Sequence, residues 1–270
     1  MSDLVRARCT GALIALGRAV ATFLEEYGYW VVLIGESVYW IVIGPFKQRP
    51  VRPAAAVAEM MDIGVAAVPI VCMLSFAIGV MLAIQGVYTL RQVGAESQVV
   101  LGIAMSVVRE FGPLITGILV AGRSGSALAA RIGTMQVNQE VDALTVMGID
   151  PIRYLAAPVF IATLTMVPAL AMCANLAALF GGAVYCRFEL GLSQIAYWDQ
   201  ATAFITANDV LQGLVKSVVF AAIVALVGIS NGFAVRGGAD GVGRATTRAV
   251  VWSISYIVIA DMLFTYFLNR

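Results

Sequence analysis

Histidine is absent from this 270-residue chain, and lysine occurs only as Lys47 and Lys216. Without histidine there can be no Ser-His-Asp triad, no imidazole-ligated metal and no imidazole proton relay. Neither lysine follows a glycine loop of the GxxxxGK[ST] type, so the chain has no phosphate-binding loop for ATP of its own. The four cysteines, Cys9, Cys72, Cys173 and Cys186, show no CxxC spacing and read as small buried hydrophobes. Charge is scarce as well. Only 12% of residues are charged and 61% are hydrophobic, with a net charge of +1. So few charges cannot cover a water-soluble globule, and the bulk solvent is read as lipid. A near-neutral balance without a basic tail excludes a broad nucleic-acid surface.

What is present is apolar sequence in long runs. Five of them, about 63–90, 97–122, 154–185, 210–235 and 249–268, reach the roughly 20 residues a helix needs to cross a bilayer. Helices are the required form, since in lipid each backbone donor must be satisfied within its own segment. The expected fold class is therefore all-α, a polytopic membrane protein of five transmembrane helices. Residues 4–24 carry Arg6, Arg8 and Arg18 among small and apolar residues. The run 30–44 is short, holds Glu36 and is studded with Tyr29, Trp30, Tyr39 and Trp40, which favour the headgroup level. A cleaved signal peptide is not expected, because Arg18, Glu25 and Glu26 interrupt the apolar stretch.

Charge parity orients the chain. If 30–44 lies along the interface and the amino terminus is cytoplasmic, Lys47, Arg49, Arg52, Arg123, Arg131, Arg153, Arg236, Arg244 and Arg248 join Arg6, Arg8 and Arg18 inside. Only Arg91, Arg187 and Arg270 fall outside. Residues 1–53 are thus read as interfacial amphipathic helices and 54–270 as one five-helix domain.

Two ionic features stand out. Arg109 and Glu110 lie side by side in "SVVREFGPLI" (106–115), at an expected insertion cost of about 3 kcal/mol for the arginine alone. Gly102, Ser106, Arg109, Pro113 and Thr116 follow helical spacing and form a small or polar stripe, and Pro113 leaves the carbonyl of Arg109 without its usual partner. Adjacent helical residues point about 100° apart, so Arg109 and Glu110 need separate partners. These are neighbouring helices that hold the bundle together, or a lipid phosphate on Arg109 with Glu110 orienting it. Lys216 and Asp261 fall at similar depths in the fourth and fifth runs. They are expected to pair, or to answer and balance a headgroup; snorkelling is the alternative, easy for lysine and hard for aspartate. In "MLAIQGVYTL" (81–90), Leu82 and Leu90 form an acyl-chain wall or simply pack in the core. The glycine-rich "RGGADGVGR" (236–244) reads as a flexible turn.

Between the second and third runs, Val137, Val141, Leu144 and Gly148 recur at four, three and four residues, the mark of a short amphipathic helix. Gly148 is placed for a left-handed cap and Pro151 for a stop.

The stretch "REFGPLITGILVAGRSGSALAARIGTM…VDALTVMGIDPIRYLAAP", with "LVKSVVFA" (214–221), "NGF" (231–233) and "GVGRATTRAVV" (241–251), resembles the signature of MlaE/YrbE permeases, the membrane subunits of MCE-associated ABC transporters. The resemblance runs from about residue 55 to the end. It implies a homodimer in the bacterial inner membrane, a separate cytoplasmic ABC ATPase that binds the ATP, a periplasmic ring of MCE-domain protein and an accompanying STAS-domain protein. Phospholipid would be the cargo, held at the dimer interface by Arg109, Glu110, Lys216, Asp261, Leu82 and Leu90. A coupling helix over about 134–148 would meet the ATPase through Gln139, Glu140, Asp142, Leu144, Met147 and Asp150. No enzymatic activity, cofactor or metal is expected of the chain itself. Members of the family often carry an acid where this chain has Arg131, and Glu-Gln where it reads Gln139–Glu140. The rival readings are a sterol or other hydrophobic cargo, a scaffold that anchors the ring without forming a pathway, and a proton-coupled carrier.

Overall fold

The computed structural model describes residues 28–44, 46–47 and 51–268. The helix expected over 4–24 lies outside the described residues. Among those described there are helices and connections but no strand, in keeping with an all-α polytopic membrane protein.

Five helical stretches are long and apolar enough to cross a membrane: Pro53–Gln92, Glu96–Val137, Ile152–Leu190, Ala207–Phe233 and Gly238–Leu268. Each overlaps its apolar run, but most are longer. The second measures 42 residues, about 63 Å at 1.5 Å per residue against a hydrocarbon thickness of about 30 Å. Apolarity marks only the lipid-facing part of a helix, and backbone bonding continues past it. The 236–244 stretch shows the same effect and corrects the expected turn. Gly237 and Gly238 take left-handed φ values of 91° and 71° and reverse the chain within two residues, after which the helix has already begun.

We number the helices α1 (Gly28–Val42), α2 (Pro53–Ile63), α3 (Val68–Gln92), α4 (Val99–Ser106), α5 (Gly112–Val120), α6 (Ser126–Val137), α7 (Glu140–Val146), α8 (Ala157–Leu190), α9 (Gln194–Phe204), α10 (Ala207–Phe233) and α11 (Gly238–Leu268). α1, at 28–42, falls short of a crossing.

The frame of the bundle is the α3–α8 pair, the most extensively packed in the molecule. A Cβ on Gly79 would fall 1.8 Å from the Ala178 carbonyl oxygen, and one on Gly181 would fall 2.2 Å from that of Phe76. The two backbones touch at both places, a closeness that only small residues permit.

The second span is not one regular helix. Five-residue π turns at Val107–Phe111 and Ala121–Gly125 separate α4, α5 and α6. In the first, the Gly112 amide reaches back five residues to the Val107 carbonyl. Pro113 follows directly and has no amide to offer Arg109, so the wider turn accommodates the missing bond. The same arrangement opens the third span, where Ala157 donates to the Ile152 carbonyl just before Pro158. The extra residue also shifts the register along the span: Gly102 and Ser106 line a groove against α3, while Pro113 and Thr116 are buried in the bundle.

α10 runs parallel to the second span. Gly213 meets Val108, Phe220 meets Gly117, and Gly232 meets Ile132. α10 therefore starts well below the top of α4, and α9 fills the difference with Tyr197 packed beside Gly182 and Ile103. Burial, with Cys186 nearby, pushes the Tyr197 phenol above its ordinary range, so it stays neutral.

Candidate functional site

Arg109 and Glu110 sit inside the π turn, and each has its own partner, as their angular separation requires. The Arg109 guanidinium binds Asp209, with Nε 2.6 Å from Oδ1. Asp209 is held in turn by the start of α10. Its second oxygen accepts from the Thr206 amide at 2.8 Å and the Thr206 hydroxyl at 2.7 Å, while the Asp209 amide donates back to the Thr206 side chain. This is a capping box, so one carboxylate ends a helix and neutralises an arginine. Asp209 was not among the predicted site residues. Its signal, Thr-x-x-Asp ahead of an apolar run, is legible as a cap, but the sequence does not show what else the carboxylate meets.

Glu110 points to different neighbours, into a cluster built by three spans. Lys216 from α10 donates to Glu110 and lies 3.1 Å from Asp261 of α11, forming ion pairs with both. Thr265, one turn beyond Asp261, lies 3.1 Å from the Lys216 ammonium and 3.1–3.2 Å from the two Glu110 oxygens. The expected Lys216–Asp261 pair is therefore present, with Glu110 added to it. Lys216 does not snorkel: its side chain is 2% exposed. Glu110 and Arg109 retain edges, with 31% and 35% of their side chains exposed. One ammonium faces two carboxylates, so the cluster carries a formal surplus of one negative charge.

Leu82 and Leu90 lie elsewhere. With Gln85, Gly86, Val99 and Gly102 they line a groove of about 270 Å³ between α3 and α4, which extends to Ser106. Arg109 follows Ser106 by less than one helical turn, so the apolar groove and the ionic groups are neighbours along the second span.

At the far end of that span the predicted 134–148 helix is corrected. α6 runs on to Val137, and the chain breaks at Gln139, whose φ of 60° is the only left-handed one among described non-glycine residues. α7 then spans Glu140–Val146 alone, with Glu140 and Asp142 in its first turn, where the helix dipole favours them. Gly148 caps it with φ 73° as expected. Gln139, Glu140, Asp142 and Met147 are exposed, whereas Leu144 is buried against the chain. Asp150 is engaged internally, accepting from the Ile152 amide at 2.8 Å and from the Trp40 indole at 2.9 Å. Arg131 pairs with Glu59 of α2 at 2.5 Å; Arg123 and Asp62 form a second, looser ion pair at 3.6 Å.

Residues 56–267, and with them every side chain just described except those of α1, match the family model described as Permease MlaE. The chain belongs to the MlaE permease family. A probable ABC transporter permease protein of Rickettsia typhi is 34% identical over 255 residues, covering 94% of this chain and 96% of that one. The intermembrane phospholipid transport system permease protein MlaE of Haemophilus influenzae is 31% identical over 252 residues, 93% and 95% of the two chains. The chloroplastic protein trigalactosyldiacylglycerol 1 of Arabidopsis thaliana is 40% identical over 198 residues, 73% of this chain and 57% of that protein. As an MlaE-family permease, the chain is a multi-pass membrane component of an ABC transporter, a class in which an ATPase partner completes the machine. Membership of the family gives the ionic cluster its context: it lies among the helices of a transport subunit.

Proposed function

We propose that this MlaE-family permease moves phospholipid between the inner and outer membranes, as a homodimer driven by a separate cytoplasmic ABC ATPase. The amino terminus lies on the cytoplasmic side. An MCE-domain ring receives or delivers lipid on the opposite face, and a STAS-domain protein accompanies the ATPase. The observation that carries the reading is the placement of Arg109 and Glu110, each anchored by a buried partner yet open along one edge, beside a groove walled by Leu82 and Leu90. Planar guanidinium suits phosphate, and a carboxylate with surplus negative charge around it suits an amine, so a zwitterionic headgroup fits both. The apolar groove next to them suits an acyl chain. Lys216 and Asp261 act behind this edge, setting the position and charge of Glu110. The printed name of the Haemophilus relative supports phospholipid as the cargo class.

On this reading α7 is the contact for the ATPase, through the exposed Gln139, Glu140, Asp142 and Met147. ATP is bound by that partner. The test is photo-crosslinking from positions 109, 110 and 82 in the assembled complex, followed by mass spectrometry. Phospholipid captured at all three sites is the expected result; capture of protein alone at 109 and 110 would mean that these groups only brace helices. Recovery of a sterol or a sugar lipid would replace the cargo while keeping the site.

A further inference from the structure

α1 touches the bundle at two different levels. Near its carboxyl end, the Trp40 indole N–H donates to Asp150 at 2.9 Å, and the Arg153 guanidinium lies over the Trp40 ring, 5.2 Å from its centre. Asp150 is the joint between α7 and the third span. Ile149 just before it donates to the Leu144 carbonyl and so is tied to α7, while the second Asp150 oxygen accepts the Ile152 amide at the start of the π turn. Near its amino end, Trp30 packs edge-on against Tyr256 of α11, with ring centres 5.4 Å apart. Tyr256 is next to Ile257, which is fully buried and meets the region of Gly117 and Phe220 halfway along the bundle. Leu33 and Ser37, on the same face of α1, are buried as well. Five residues on from Tyr256 stands Asp261, the α11 member of the ionic cluster.

From these contacts we infer that α1 is a strut linking the α7 joint to α11, with the Trp40–Asp150 hydrogen bond as the attachment through which a shift of α7 is passed to the ionic cluster. A helix transmits a push along its axis because its hydrogen-bonded backbone is stiff. An indole bound to a carboxylate, with a guanidinium on its face, fixes both the distance and the ring plane. At the other end Trp30 and Leu33 seat the strut in the packed core, where shape leaves little slack. α11 then carries the displacement to Asp261. Trp40 and Asp150 are positioning residues: neither touches cargo, and both act through the helices that they join.

This inference rests on the proposed ATP-driven lipid transport, and the experiment separates the two. The permease is reconstituted with its ATPase in phospholipid nanodiscs, and ATP hydrolysis is measured with and without added MCE-domain protein and lipid acceptor vesicles. A wild-type complex whose hydrolysis is indifferent to these additions would count against the transport reading, whatever α1 does. Given a responsive wild type, Trp40→Phe removes only the N–H and keeps the ring. It should leave basal hydrolysis and copurification of the ATPase unchanged and lower the maximal stimulation by about tenfold, the size set by a hydrogen bond to a charged group. The lipid concentration for half-maximal effect should stay put, which a merely loosened fold would not achieve. Asp150→Asn, which keeps an acceptor for the Ile152 amide, should show a similar loss. The double variant should be no worse than either single one, because the two changes remove one bond. Full stimulation in Trp40→Phe, or additive losses in the double variant, would overturn the strut. Should Trp40→Phe fail to assemble, Asp150→Asn alone decides by the same criterion.

Discussion

Two groups of ion pairs, made from the same residue types, sit at opposite ends of the second span. At one end, Lys216 joins Glu110 and Asp261 among three transmembrane helices, and Arg109 joins an Asp209 that is itself held by a helix cap. At the other, Arg131 and Arg123 tie α2 to the span through Glu59 and Asp62; Glu59 is largely covered, while the other three side chains are open. The chemistry is shared and the surroundings differ. In the first group burial withdraws Lys216, Asp209 and most of Asp261 from water, so these members depend on their partners. In the second group Arg123 and Asp62 can exchange each other for solvent, so breaking that pair costs little. The first is therefore placed to govern whether the bundle holds together and what it binds, and the second to be adjusted without harm.

That contrast can be broken most severely at Lys216. Lys216→Met strands two carboxylates, and we expect a loss of about 3–5 kcal/mol, read as a collapse in the yield of folded protein and a lowered unfolding midpoint in detergent. Adding Glu110→Gln and Asp261→Asn to that variant should recover much of the stability without restoring transport; recovery of both would deny the cluster a role in function. Asp209→Ala comes next. It removes a cap worth about 1 kcal/mol and frees Arg109, whereas Asp209→Asn should retain most of the cap. Equal destabilisation by the two, in chemical denaturation, would show that charge rather than capping dominates there. Asp261→Asn is expected to leave stability within about 1 kcal/mol, since Lys216 keeps Glu110 as its charged partner. Lipid transfer in reconstituted vesicles should nevertheless fall, and unchanged transfer would remove Asp261 from the mechanism. Smallest is Asp62→Asn, at about 0–1 kcal/mol and sensitive to salt. A large effect at that position would erase the distinction between the two ends.

Much of this was legible beforehand, for identifiable reasons. Five spans follow from apolar length, the separate partners of Arg109 and Glu110 from helical geometry, and the Lys216–Asp261 pair from matching depths. The cap at Gly148 follows from a residue that tolerates left-handed backbone. The rest was hidden by causes that are equally specific. The role of Asp209 required knowing that the start of α10 lies level with the π turn. The break at Gln139 contradicts an amphipathic pattern that runs through it unbroken, because periodicity records which face is buried and not where the backbone changes direction. The stripe from Gly102 to Thr116 divides between a groove and the packed interior, because the one extra residue of the π turn rotates everything after it. Trp40, read only as an interfacial aromatic, has its partner 110 residues away.

By itself the sequence determined that this is a membrane protein of helices, how many of them can cross, and that its few charges must be matched. These follow from the cost of unpaired backbone and unpaired charge in lipid, which any arrangement of the chain must meet. Only the tertiary structure decided that Asp209 meets Arg109 and that Glu110 joins Lys216, and how α1 spans two levels of the bundle. Those choices depend on the axial offset between helices, a quantity set by packing of distant residues and written in no single segment.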